Sequence, residues 1–344
     1  MFVNKDLKFI PRMSKVSIIM PAYNAEEYIS TAINSVISQT YKDWELVVCD
    51  DCSSDNTVDI VEEYCRQHNN IVLIKRKENS GAARLPRKDA ALATTGGLIM
   101  TFDADDFLDS EYVEKMYNRK QETKASIVLS HLVFCNERGK LNGKEIPNKS
   151  FDYNQIITGR LAAMLMLGEV RISVNGLLCD KELYINNIIS QDKATDNCSF
   201  ADEIDQRKLL MRNKTVAFAD AKYYYRQQPG SLMHNTGVKR YDFLTSLEVI
   251  YRFAKENFHE KEVFKRLDNE FLTNLLFCQR DYYVYEHFKL KEKNIINEKI
   301  IKAYNFAKSE QMKPANIKQR TCMQSYTFFR FISFIYSFYL KYKR

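Results

Sequence analysis

Asp103, Ala104 and Asp105 stand directly after an apolar run, Leu98 to Phe102. Two carboxylates flanking one small residue in a turn can hold a hard divalent cation while one of them also bonds a sugar hydroxyl. Mg2+ or Mn2+ takes one or two protein carboxylates and fills its other positions with water and substrate phosphates. The charge such a cation neutralises is that of a departing diphosphate. A second acidic pair, Asp50-Asp51, also closes an apolar run, Leu46 to Cys49.

The elements that must position these groups show in the apolar spacing. Val16 to Met20 reads as a short strand stopped by Pro21, and Tyr28-Ile29, Ala32-Ile33 and Val36-Ile37 recur at helical spacing. Leu46 to Cys49 is a second strand. Ser53-Ser54-Asp55 then offers turn and capping chemistry before a helix marked by Val58, Val61, Tyr64 and Cys65. Ile71 to Ile74 is a third strand, residues 82–94 an alanine-rich helix, and Leu98 to Phe102 a fourth strand. This alternation predicts an α/β fold with a mostly parallel sheet flanked by helices, whose ligands bind at the C-terminal strand ends. Those ends carry Pro21-Ala22-Tyr23-Asn24, Asp50-Asp51 and Asp103 to Asp106. Further on, Ile127 to Leu129 and Thr215 to Tyr225 read as strands, Asn136 to Gly143 as a turn and Ile156 to Leu167 as an apolar helix. From about Tyr241 only helical spacing remains. The expected division is an α/β domain over 1–235 and a helical C-terminal region over 236–344.

Read in order, the segments Val16 to Asn24, Ser35 to Thr40, Trp44 to Thr57, Asn79-Ser80-Gly81, Arg87 and Phe102 to Asp106 strongly resemble the family 2 glycosyltransferases. These are inverting sugar transferases with a Rossmann-like GT-A fold. The resemblance is dense over residues 14–110 and thinner to 234. It implies transfer of a sugar from a nucleotide-diphosphate donor to a hydroxyl acceptor, a glycan or lipid-linked sugar, in cell-surface polysaccharide or glycolipid assembly. Carried over by position, Pro21, Ala22 and Tyr23 line the base and ribose. Asp50 or Asp51, with Asp51 favoured, accepts the base imide N–H. Arg87 lies near the diphosphate, Asp103 and Ala104 contact the donor, and Asp105 with Asp103 ligates Mg2+ or Mn2+. The family's proton acceptor maps onto Asp202-Glu203, with Glu203 in the base position and Asp202 the alternative. Tyr223 to Arg226 and Gly230-Ser231 also resemble family segments. Cys52 stands where the family usually has Gly, which predicts a looser turn there. The segment 82–87 is one residue longer than usual.

The 344 residues carry 51 Lys and Arg against 44 Asp and Glu, a net charge of +7. Seven of the basic residues and no acidic one lie in Gln311 to Arg344, so the remaining 44 basic and 44 acidic residues cancel. The aromatics Phe328, Phe329, Phe331, Phe334, Phe338 and Tyr339 crowd that same stretch, next to Arg330, Lys341, Lys343 and Arg344. The expectation is a basic, aromatic tail lying on the anionic inner face of a membrane, from the cytoplasmic side. Packing on protein is the alternative. A neutral body argues against a nucleic-acid groove. No apolar run is long enough to span a bilayer, and no signal peptide is read at the N-terminus. Eight scattered Cys predict reduced thiols. Two other activities compete: a nucleotidyltransferase, which would want a Gly-rich phosphate loop near the first strand, and a non-catalytic member of a glycan-assembly complex.

Overall fold

The computed structural model describes residues 15–147, 152–168, 171–189, 201–227, 237–284 and 288–342. The side chains of 188–189, 201–203, 336 and 338–342 lie outside that description.

Strands β1 (Val16–Ala22), β2 (Trp44–Asp50), β3 (Ile71–Lys75) and β4 (Leu98–Thr101) alternate with helices α1 (Ile29–Ile37), α2 (Thr57–Gln67) and α3 (Arg84–Ala93). β1 and β2 are buried along their whole length, as continuous apolar strands covered on both faces must be. β1 lies between β2 and β4 and pairs parallel with both. β3 pairs parallel with β2. This part of the sheet is the one expected from the spacing.

The second half of the sheet is mixed. Next come β5 (Phe107–Leu108), α4 (Tyr112–Thr123), β6 (Ile127–Asn136), β7 (Leu141–Ile146), β8 (Ile156–Thr158), α5 (Gly159–Leu165), β9 (Leu178–Asp180), α6 (Lys181–Ile189), α7 (Ala201–Arg212) and β10 (Thr215–Gln227). The order across the sheet is β3-β2-β1-β4-β9-β6-β10-β5, with β7 on β6 and β8 on β10. β9 runs antiparallel between β4 and β6, while β10 is parallel to β6. The apolar helix expected over 156–167 is split. Its first three residues pair with β10 as β8, and the Thr158 hydroxyl then caps α5 by accepting the Leu161 N–H at 3.2 Å. The β-branched pair Ile156-Ile157 before a good cap explains the switch.

After a 3-10 turn at Val238–Tyr241 come α8 (Asp242–Asn257), α9 (Lys261–Val284), α10 (Leu290–Ser309), α11 (Ile317–Cys322) and α12 (Tyr326–Tyr342). They share one apolar core with the sheet, in which Phe253, Phe271, Leu275 and Phe306 join Ile19, Leu129 and Phe218. Gly168, at φ +79, lies so close to α9 that a Cβ there would sit 2.4 Å from that of Arg266.

The last helix packs Phe329 into the core but presents a mixed face. Ser333 and Ser337 are buried at 4% and 2% exposure, whereas Phe331, Phe334 and Ile335 are 56%, 52% and 48% exposed. Among the described residues no helix is long and apolar enough to cross a membrane.

Candidate nucleotide-sugar site

The sheet order brings the acidic strand ends together. Asp50 is the partner of Ala22 in the β1–β2 register, and the Phe102 N–H bonds the Ile19 carbonyl across β1–β4. Asp50-Asp51 and Asp103 to Asp106 therefore flank Pro21-Ala22-Tyr23, one strand away on either side, about 5 Å per strand spacing. Pro21 and Ala22 close β1, and Tyr23 presents an unburied ring at 52% exposure beyond them.

The loops after β1 and β2 clamp each other. Asn24, at φ +47, accepts the Ser54 N–H on its side-chain oxygen at 2.8 Å and donates its own N–H to the Ser53 hydroxyl at 2.9 Å. The Ala25 N–H bonds Thr57 Oγ1 at 2.8 Å. Cys52 adopts φ +65, the left-handed conformation that glycine takes without strain. The turn thus keeps its glycine-type backbone with a cysteine in it, and the looser turn expected from that substitution does not occur.

Asp50 and Asp51 are both buried. Asp50 Oδ2 accepts the Ser53 N–H at 3.0 Å, while its Oδ1 is buried with no donor among the described residues. Asp51 is oriented by other loops: both its oxygens accept the Ser80 N–H at 3.0 Å, Oδ2 takes the Ser80 hydroxyl at 2.8 Å, and Arg76 Nε lies 3.0 Å from Oδ1. Arg76, at the end of β3, also pairs with Asp89 of α3. Asn79 ties the same loop down through the Asp51 carbonyl and the Gly81 N–H. Gly81, at φ +81, is the residue that the turn requires to be glycine.

The acidic loop after β4 is held from β10. Tyr223, fully buried, donates its hydroxyl to Asp106 Oδ2 at 2.7 Å and accepts the Asp103 N–H at 3.2 Å. The Arg226 N–H bonds Asp106 Oδ1 at 2.8 Å, and its Nε bonds the Asp105 carbonyl at 2.8 Å. The Arg226 guanidinium lies against the Tyr28 and Phe107 rings. Burial first, then the charges of Asp105 and Asp103, push the Asp106 carboxyl well above its ordinary value. Asp106 is thus used as an internal acceptor, and Asp103 and Asp105 are its acidic neighbours in the loop. Both are only partly buried.

No group of three potential metal ligands exists among the described residues. Two partly exposed carboxylates fit a hard cation that shares a substrate's phosphates, which needs no third protein ligand.

Helix α3 carries two buried arginines one turn apart. Arg87 Nη2 bonds Asp103 Oδ1 at 2.7 Å, and Arg84 Nε meets Asp205 Oδ2 of α7 at 2.8 Å. With Thr101, Tyr184 and Asn187 they line a cavity of about 30 Å3. Asp202 and Glu203 open α7, and their side chains lie outside the described residues. Gly230 and Ser231 fall outside them as well. Sequence reasoning assigned no role to Arg76, Arg84, Asp106 or Asp205. A basic residue at a strand tip is the signal Arg76 offers; Arg84 and Asp205 meet only through tertiary structure.

Residues 17–169 match the family profile described as Glycosyl transferase family 2. The chain is 30% identical over 215 residues to the poly(ribitol-phosphate) beta-glucosyltransferase of Bacillus spizizenii, a match covering 61% of this chain and 32% of that protein. It is 26% identical to the cholesterol galactosyltransferase of Borreliella burgdorferi, over 95% of this chain and 98% of that one. The crystal structure of Staphylococcus aureus TarS 1–349 in complex with UDP-GlcNAc superposes with a TM-score of 0.62 at 20% identity, covering 94% of this chain and 89% of that chain. The match spans about a third of the length of the first of these relatives. The fold is GT-A, like that of TarS, and residues 17–169 carry the similarity to glycosyltransferase family 2.

Proposed function

We propose that the chain is an inverting glycosyltransferase that moves a sugar from a nucleotide-diphosphate donor to a hydroxyl acceptor, in cell-surface polysaccharide or glycolipid assembly. The observation that carries this reading is the convergence of Asp50-Asp51 and Asp103-Ala104-Asp105 on either side of Pro21-Ala22-Tyr23. Tyr23 offers a face for the base, and Asp51, oriented by Ser80 and Arg76, accepts the base imide N–H. Asp103 bonds the ribose, and Arg87 stands beside it toward the diphosphate. Asp105 with Asp103 would hold Mg2+ or Mn2+, which supplies charge neutralisation to the diphosphate leaving group. The acceptor hydroxyl attacks the anomeric carbon from the face opposite the leaving group, so the configuration inverts. Its proton passes to the carboxylate of Glu203 or Asp202 in the first turn of α7.

The test is Asp105→Ala, assayed by release of the nucleoside diphosphate from a panel of nucleotide sugars. Turnover should disappear while the circular dichroism spectrum stays that of the wild type. Undiminished turnover would remove the mechanism.

We further propose that α12 rests on the anionic inner surface of a membrane from the cytoplasmic side. Its outward Phe331, Phe334 and Ile335 and the absence of acidic residues after Glu310 support this. Replacing the three by serine should abolish co-sedimentation with phosphatidylglycerol vesicles; sedimentation equal to the wild type would refute the placement.

A further inference from the structure

We infer that the buried Arg84–Asp205 ion pair is a positioning element that fixes the acidic first turn of α7 relative to the acidic loop after β4, and thereby sets the rate of the transfer step. This inference rests on the function proposed above. Arg84 and Arg87 occupy one face of α3, three residues and about 4.5 Å of helix axis apart. Arg87 bonds Asp103, and Arg84 bonds Asp205. The first turn of α3 therefore links Asp103 of the acidic loop to the helix that begins with Asp202 and Glu203. Asp205 lies one turn beyond Asp202 on the same stripe of α7, so its place fixes that of the turn before it.

Attachment of α7 does not need this pair. Ile204, Leu209 and Leu210 of α7 are already buried in the apolar core. A buried ion pair is a poor source of stability, because desolvation of both charges offsets most of their attraction. What it does impose is direction: a planar guanidinium accepts a carboxylate in few orientations. A second bond reaches the same residue from α6. Asn187 of α6 donates from Nδ2 to the Asp205 carbonyl at 3.0 Å, and Arg212 in turn donates to Asn187 Oδ1 at 3.1 Å. Asp205 is thus held by its side chain from α3 and by its backbone from α6. A proton acceptor on α7 has to meet an acceptor hydroxyl at hydrogen-bond distance, and a misplacement of about 1 Å can lower a rate about 100-fold.

The experiment compares Arg84→Lys, Arg84→Met, Asp205→Asn and the double variant Arg84→Met/Asp205→Leu with the wild type. It measures kcat at saturating uridine-diphosphate sugar, a probe chosen because the similar TarS structure holds UDP-GlcNAc, together with the Kd of uridine diphosphate with Mn2+ and the urea midpoint. Each single variant should lose at least tenfold in kcat while the Kd for uridine diphosphate stays within about twofold. The double variant, which removes both charges of the pair, should recover most of the urea midpoint and remain as slow as the singles. A merely structural pair gives the opposite pattern, with kcat returning alongside the midpoint. That result, or a wild-type kcat in Arg84→Lys, overturns the inference and leaves the functional reading intact. A wild type that neither binds uridine diphosphate nor turns over any nucleotide sugar overturns the functional reading first, and the inference with it.

Discussion

Replacing Tyr223 by phenylalanine removes one oxygen atom and leaves the ring in place. The aromatic contacts of that ring with Phe102 and Tyr112, at centroid distances of 5.9 and 6.2 Å, survive, and no cavity opens. What disappears is the donor to Asp106 Oδ2 and the acceptor of the Asp103 N–H. Both groups are then short of a partner, in Asp106 a fully buried one. Losing such a hydrogen bond and stranding its partners costs about 1–3 kcal/mol. Where that cost falls on the arrangement of the acidic loop, each 1.4 kcal/mol lowers affinity about tenfold. Mn2+-dependent binding of uridine diphosphate should therefore weaken about 10- to 100-fold, and the urea unfolding free energy should drop by about 1–3 kcal/mol. Titration calorimetry of uridine diphosphate with and without Mn2+, beside urea denaturation, reads both effects. Binding within twofold of the wild type would refute the idea that β10 holds the acidic loop in shape.

At the opposite end of the strands, Glu45 accepts bonds from the Ser17 hydroxyl, the Thr95 and Gly96 N–H groups and the Thr95 hydroxyl, and pairs with Lys15. Burial pushes its carboxyl up, but the bonds from Ser17, Thr95 and Lys15 outweigh that and hold it at about 2, against an ordinary 4.5. A carboxyl depressed on folding stabilises fully above its unfolded value, and that contribution fades as pH falls from about 4.5 toward 2. Glu45→Gln should lower stability at pH 7 by about 3 kcal/mol and flatten the loss between pH 4.5 and 2. Acid titrations followed by tryptophan fluorescence would show this, and parallel curves for the two proteins would contradict it. Asp51→Asn turns a base acceptor toward a donor and loosens Ser80 and Arg76; uridine diphosphate binding should fall at least tenfold, and further than in Asp50→Asn. Equal losses in the two variants would count against the assignment to Asp51.

The first hundred residues were legible because their strands are long enough for apolar runs to declare themselves and each ends on a chemically distinctive residue. β9 was not, since three residues, Leu178 to Asp180, show no period. The strand–helix switch at Thr158 was missed because Ile156-Ile157 suits either state until β10 supplies a partner. Within the candidate site, the acidic groups Asp50-Asp51 and Asp103 to Asp106 could be placed from their position at strand ends, and the family resemblance supplied the roles proposed for each. Their supports could not be. Arg76, Tyr223 and Arg226 come to them from other strands, and Arg84 reaches Asp205 across 121 positions of chain. Such pairings are set by topology, which local composition does not encode.

Cys52 carries one consequence beyond the turn it closes. Of the described cysteines it is the exposed one; Cys65 is partly covered and the others are buried. A maleimide dye would therefore attach beside Asp50-Asp51, at the rim of the proposed base pocket. The dye could report ligand arrival by its change in emission, giving a donor-screening sensor from the native chain with no engineered attachment point.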